Sequence, residues 1–274
     1  MNGDPRPIGM FDSGFGGLTV ARALIDLLPD EHLVYVGDTG RYPYGSKPQA
    51  EVRHFAHQIT RYLVEVHRVK LVIVACNTAA AAASVHELSE AHGVPVLGVI
   101  EPGVRALVSA STTGRVGVIG TVGTIGSGAY QQAVAATGAP VQLQCAACPG
   151  FVEFVERGQV EGDEVTVLAE RLLAPVVEAK VDTLLLGCTH YPFLARVLSD
   201  VLGPEVVLVS SAEETAFDVR ARLAGSALAR RPGPGDGPAT RRFLSSGDVR
   251  WFADLGRRLL GPELGDAEAV VWSA

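Results

Sequence analysis

Two pairs of short apolar runs constrain this chain more than any other feature, because the members of each pair end in loops of the same kind. Ile8-Gly9-Met10-Phe11 runs into Asp12-Ser13-Gly14, and Val116-Gly117-Val118-Ile119 runs into Gly120-Thr121-Val122-Gly123. Leu71-Val72-Ile73-Val74-Ala75 runs into Cys76-Asn77-Thr78, and Leu184-Leu185-Leu186-Gly187 runs into Cys188-Thr189-His190. The partners lie about 110 residues apart, and recurrence at one spacing is the mark of a repeated unit. Apolar runs predict strands at residues 8–11, 33–36, 71–75, 96–100, 116–119, 141–144, 183–186 and 206–209, with amphipathic stretches between them. That alternation gives parallel strands joined by helices. The expected fold is α/β, with two pseudo-symmetric open units of about 100 residues. Each would be a mostly parallel sheet flanked by helices, with the active site in the cleft where the strand ends face each other.

Outside the repeat, residues 49–67 place Val52, Phe55, Ala56, Ile59, Leu63 and Val66 three or four apart, which predicts a helix with one apolar face. Residues 225–240 are rich in Arg, Pro and Gly and read as a surface loop. A last helix is expected over 249–260, with Trp251 or Phe252, Leu255 and Leu259 offering its face.

Charge and composition remove several functions. The 274 residues carry 23 basic and 30 acidic side chains, a net charge of −7. That balance argues against broad nucleic-acid binding, which needs clustered Lys and Arg to displace counterions. No apolar stretch approaches the roughly 18 residues of a membrane span, and residues 1–7 lack the order of a secretory signal. The expectation is a cytoplasmic protein with no membrane or direct nucleic-acid partner. Four cysteines are too few for a disulfide framework at this length.

Ligands of open α/β sheets sit beyond the carboxyl ends of the strands. Asp12, Asp38, Cys76, Thr121 and Cys188 all fall at or just after such ends. Cys76 precedes a helix-forming alanine run, residues 79–83, where the helix dipole and unpaired amides would favour thiolate. Cys188 stands in an equivalent setting, with Pro192 where a first helical turn tolerates it. Either cysteine alone would equally be a small buried hydrophobe; matching thiols in two similar units point to chemistry. His190, two residues from Cys188, is placed to exchange a proton with it. The remaining histidines, His32, His54, His57, His67, His86 and His92, read as surface or packing residues. Cys145 and Cys148 lack the partners of a zinc site and read as core or loop thiols. Gly14-Phe15-Gly16-Gly17 lacks the third glycine of a dinucleotide fingerprint, and residues 120–128 lack the Gly-Lys-Ser/Thr of a P-loop. Two classes of function remain from the residues alone. One is acid–base chemistry by paired thiols on opposite faces of a substrate carbon. The other is hydrolysis, with one Cys as nucleophile and His190 as base, or with Asp12, Asp38 and His190 gathering a metal. The duplication favours the first, since a hydrolase leaves the second thiol unexplained.

Over nearly its whole length the chain resembles the glutamate racemases. The motifs that carry the resemblance are Phe11-Asp12-Ser13-Gly14-Phe15-Gly16-Gly17-Leu18-Thr19-Val20, Gly37-Asp38-Thr39, Pro43-Tyr44-Gly45, Ala75-Cys76-Asn77-Thr78, Gly120-Thr121 with Gly123-Thr124, Cys148-Pro149, and Leu186-Gly187-Cys188-Thr189-His190-Tyr191-Pro192. The resemblance implies Cys76 and Cys188 as two catalytic bases, one for each enantiomer, with neither cofactor nor metal. It sets Asp12 beside the first thiol and His190 beside the second, and Glu156 as a further carboxylate near the second, Glu153 being the alternative. Substrate contacts carried over are Asp12, Ser13, Tyr44, Gly45, Asn77, Thr78, Thr121, Thr124, Thr189 and His190. Family members build their first domain from both chain ends, which implies residues 1–100 with 211–274 and an inserted domain at 101–210. The implied activity is interconversion of L- and D-glutamate for peptidoglycan. Aspartate and hydantoin racemases share the paired-thiol scheme. A homodimer, and the DNA gyrase inhibition found in some members, are further partners of the family on which the sequence takes no position.

Overall fold

The computed structural model describes residues 3–272, so Met1 and Asn2 of the expected signal-free terminus lie outside the described residues. The strands, in chain order, are β1 (Ile8–Asp12), β2 (Leu33–Gly37), β3 (Leu71–Val74), β4 (Val96–Gly98), β5 (Arg115–Gly120), β6 (Gln142–Ala147), β7 (Thr183–Gly187), β8 (Val207–Ser210), β9 (Arg241–Ser245) and β10 (Ala267–Ala269). They form two sheets, β10-β9-β2-β1-β3-β4 and β6-β5-β7-β8. Every pairing is parallel.

The repeated loops of the sequence map onto one repeated topology. Within the larger sheet the order β2-β1-β3-β4 matches β6-β5-β7-β8 strand for strand, with β1 equivalent to β5 and β3 to β7. The central strands are buried along their whole length. Helices cover both faces of such a parallel sheet, so its strands read as continuous rather than alternating apolar runs. Side chains still alternate between two cores. Met10, Tyr35 and Ile73 pack on one face of the larger sheet, and Phe11, Val36 and Val74 on the other. Ile119 and Leu186 divide from Val118 and Leu185 in the smaller sheet in the same way.

All eight expected strands are present, although the run at 96–100 stops at Gly98 because Ile100 opens the helix Ile100–Ala110. β9 and β10 were not expected. The helix Gln49–His67 buries Val52, Phe55, Ala56, Ile59 and Leu63 as its spacing predicts. Val66 is the exception at 60% exposed, since the last turn overhangs the sheet. The helix Val249–Leu260 starts on Asp248, whose carboxylate caps the amides of Arg250 and Trp251. It buries Phe252 and leaves Trp251 largely exposed; the side chain of Leu259 lies outside the described residues. The loop between the helix Ser211–Leu223 and β9 is irregular and largely exposed. Arg230 pins it through bonds to the carbonyls of Asp30 and Gly237, the use of a structural arginine rather than of a nucleic-acid patch. None of the described helices is long and apolar enough to cross a membrane.

Candidate active site

The first loop of each repeat follows β1 or β5, and the second follows β3 or β7, so four strand ends converge on one cavity of about 90 Å³. That is room for several waters, the scale of an amino acid rather than a nucleotide. Ser13, Tyr44, Gly45, Cys76, Asn77, Thr78, Thr121, Cys188, Thr189 and His190 all line it. Asp12, Thr124 and Glu156 do not; they form a layer behind the lining.

Cys76 lies two residues past the end of β3 and is itself the cap of the short helix Asn77–Ala82, its Sγ accepting from the Ala79 amide at 3.5 Å. The thiol donates to the Ser13 hydroxyl at 3.7 Å. Cys188 ends β7, and its Sγ lies 3.9 Å from Nδ1 of His190. The expectation of a thiolate at each position is corrected by the structure. Burial, joined by the nearby Asp12 carboxylate, pushes the Cys76 thiol up to about 12. Burial likewise raises Cys188 well above the ordinary thiol range, against the opposing pull of the His190 amide. Desolvation outweighs the helix start because each sulfur is almost entirely enclosed. Burial thus favours the neutral thiol at both positions.

Asp12 is fully buried at the end of β1. Its Oδ2 accepts from the Gly14 amide at 2.8 Å and its Oδ1 from the Thr189 hydroxyl at 3.3 Å. Burial raises its pKa, opposed first by the nearby His190. The His190 ring is held between Phe15, at 5.3 Å between centroids, and Tyr42, at 6.3 Å. Its Nε2 approaches Oε1 of Glu156 to 3.3 Å, out of line for a hydrogen bond. Glu156 is thus the carboxylate at His190, while Glu153 lines the cavity. The glycines after β1 allow this closeness: a Cβ at Gly16 would stand 2.4 Å from Thr189 Oγ1 and 2.5 Å from His190 Nδ1.

Across the cavity, the hydroxyls of Thr78, Thr121 and Thr124 stand 2.9 to 3.1 Å from one another. Asn77 Oδ1 accepts from the buried Tyr130 hydroxyl at 2.5 Å. Its Nδ2 is buried without a partner among the described residues, an unused amide donor on a residue that lines the cavity. The Gly45 carbonyl accepts from the Gly123 amide at 2.8 Å, which joins the loop after β2 to the helix start after β5.

One positional candidate is displaced, and one cysteine read as a core or loop thiol reaches the cavity. Asp38 does not reach the cavity; its carboxylate is spent on Arg41, Tyr44, Ser246 and Trp272. Cys148 does line the cavity, whereas Cys145 packs against a core cluster of the smaller sheet. Tyr42, Cys148 and Tyr191 are cavity residues to which the sequence assigned no role; the Tyr42-Pro43 pair and the Cys148-Pro149 pair were their local signal. Among the described residues no three His, Cys, Asp or Glu side chains are arranged to hold a metal, so Asp12, Asp38 and His190 do not gather one. The other histidines lie away from the cavity, as with His57, which pairs with Glu87 and His92.

A family model described as Asp/Glu/Hydantoin racemase matches residues 17–216. A glutamate racemase of Acidothermus cellulolyticus is 53% identical over 94% of this chain and 97% of its own. Among solved structures, a glutamate racemase isoform of Bacillus anthracis superposes with a TM-score of 0.89 at 37% identity, covering 98% of this chain and 97% of that one. A glutamate racemase of Francisella tularensis in complex with D-glutamate gives 0.89 at 32% identity, covering 98% of both. Paired thiols at equivalent strand ends, with a match along the whole length, place the protein: it belongs to the Asp/Glu/hydantoin racemase family, among its glutamate racemases.

Proposed function

We propose that the protein is a cofactor-independent glutamate racemase that interconverts L- and D-glutamate by proton transfer at Cα and supplies D-glutamate for peptidoglycan in the cytoplasm. The observation that carries this reading is the pair Cys76 and Cys188, contributed by different sheets to one small cavity. Each has its own proton-handling neighbour, Asp12 with the first and His190 with the second. The ligand of the Francisella relative is the one we place in the cavity.

Removing an α-proton without an electron sink leaves charge on the substrate carboxylate. The Thr78, Thr121 and Thr189 hydroxyls and the free Asn77 Nδ2 are the donors we assign to that charge. Because burial favours the neutral form of both thiols, the cycle starts with one yielding its proton, Cys76 toward Asp12 or Cys188 toward His190 and Glu156. The resulting thiolate takes the α-proton from one face, and the opposite thiol delivers its own proton to the other face. One S–H bond forms, one breaks, and the configuration inverts. Closure around the substrate excludes the water that would quench the carbanion. Ser13, Tyr44 and Gly45 complete the wall around the substrate, and Thr124 supports Thr78 and Thr121 from behind. We also propose that the two sheets mark two domains, residues 1–100 with 211–274 and residues 101–210.

The test is proton NMR of L-glutamate with the purified protein in D₂O, with EDTA present and optical rotation read in parallel. Joint loss of the α-proton signal and of rotation is the expected result; L-aspartate as substrate control separates the reading from an aspartate racemase. Unchanged signals with both would overturn it.

A further inference from the structure

Asp38 is completely buried, is absent from the chemistry above, and collects four side-chain donors from three separate parts of the chain. Oδ2 accepts from Arg41 Nε at 2.7 Å and from the Tyr44 hydroxyl. Oδ1 accepts from the Ser246 hydroxyl at 2.6 Å and from the indole N–H of Trp272 at 2.7 Å. A carboxylate offers about four acceptor sites, and all of them are filled. Two of the donors belong to the wall itself, Arg41 just before the segment 42–46 and Tyr44 in its middle, and all five residues of that segment line the cavity. The other two come from the loop after β9 and from the end of the described chain.

Trp272 is held in place on more than one side. Its ring meets Tyr62 edge-on at 5.5 Å. The Arg41 guanidinium lies 4.8 Å from its ring and 4.0 Å from that of Phe55. The adjoining backbone is fixed by the Val270 amide, which donates to the Ser245 carbonyl at 2.9 Å. The cavity wall at 42–46 is also held by the Gly45 carbonyl on the Gly123 amide and by the rings of Tyr42 on His190 and Tyr44 on Phe55, but among these contacts only the Asp38 cluster ties it to the loop after β9 and to Trp272.

From this arrangement we infer that Trp272 is a positioning residue for the active site: through Asp38 its indole N–H fixes Tyr44 and Arg41, and so docks the C-terminal segment as a brace behind the substrate-facing wall. The inference deepens the racemase reading for kinetics but rests on packing alone for the brace itself. Trp272→Phe keeps an aromatic ring to face Tyr62 and Arg41 and deletes the N–H together with part of the ring surface. Ser246→Ala deletes the other donor to the same oxygen and serves as a second variant should the first fold poorly.

Two readouts are compared with the parent protein. For glutamate, KM should rise about fivefold in either variant, the size of one lost buried hydrogen bond, with kcat changed less than about twofold because neither residue meets the reacting atoms. Independently of activity, alkylation of Cys76 by iodoacetamide, followed by peptide mass spectrometry, should quicken by a similar factor as the wall loosens. A melting temperature that falls while KM and the alkylation rate stay at parental values would overturn the brace and leave a merely structural tryptophan. If the parent itself fails to racemise glutamate, the functional reading fails, and the alkylation rate alone still decides the brace: unchanged, it is overturned.

Discussion

The Thr189 hydroxyl donates to Asp12 Oδ1 across 3.3 Å, so the residue next to one thiol is bonded to the carboxylate beside the other. Asp12 raises the pKa of both Cys76 and Cys188 and is itself stabilised by His190. Proton handling in this cavity is therefore one coupled system spread over two sheets, and a change at one thiol is felt at the other.

Cys76→Ala and Cys188→Ala should each lower racemisation by at least about 10³-fold, toward the upper range for loss of a general acid–base group. The fold should survive, since alanine fits each buried site. Polarimetry with either enantiomer measures it, and near-parental racemisation by either variant would remove the two-base assignment.

The central strands were legible in the sequence because a strand covered on both faces is apolar at every position. β9 was missed because it opens with Arg241-Arg242, and β10 because Ala267-Glu268-Ala269 is too short and polar to signal anything. Both add to the outer edge of the larger sheet. In the site, residues placed directly at a strand end could be read: Asp12, Cys76, Thr121, Cys188 and their neighbours. Side chains delivered by long-range packing could not, as with Tyr42 over His190. The enclosure of the thiols was illegible for a related reason. A helix start is local and visible in the sequence, while the enclosure that outweighs it depends on everything packed around the sulfur. Asp38 shows the converse, a strand-end carboxylate two of whose four partners come from more than 200 residues away.

Gly16→Ala should lower kcat by about 10²-fold or more. Its new methyl would enter the space of Thr189 Oγ1 and His190 Nδ1, contacts of 2.4 and 2.5 Å, and displacement on that scale is costly in an oriented site. Gly126→Ala is the control, because nothing lies within 4 Å of its Cβ. Equal kcat in the two variants would contradict the close docking of the Gly-rich loop on His190.

Lys70 and Glu31 form an enclosed ion pair at 2.5 Å, and Glu31 also accepts from the Arg230 amide at 2.8 Å. Lys70→Met strands the carboxylate and should cost about 3–5 kcal/mol in urea unfolding. Lys70→Met with Glu31→Leu should recover part of that loss, though not all, because the Arg230 amide then loses its acceptor. A double variant less stable than the single would show that the charge is tolerated without its partner.

Alkaline pH should destabilise the protein through its buried thiols. Burial pushes Cys76 and Cys148 up to about 12 from an ordinary value near 9. Between those values the unfolded chain releases protons that the folded chain retains, so the unfolded state binds fewer and stability falls as pH rises. The contribution is whole below about pH 9 and is lost progressively toward 12, at about 1.4 kcal/mol per pH unit for each such thiol. Tyr44 and Tyr130, also raised by burial, add to the slope only above their ordinary value near 10. Urea midpoints measured from pH 8 to 10 therefore isolate the thiols. Cys148→Ala should flatten that slope by one thiol's share, whatever its effect on the midpoint at neutral pH. An unchanged slope would mean that Cys148 ionises in the folded protein as readily as in the unfolded chain, and so is open to water.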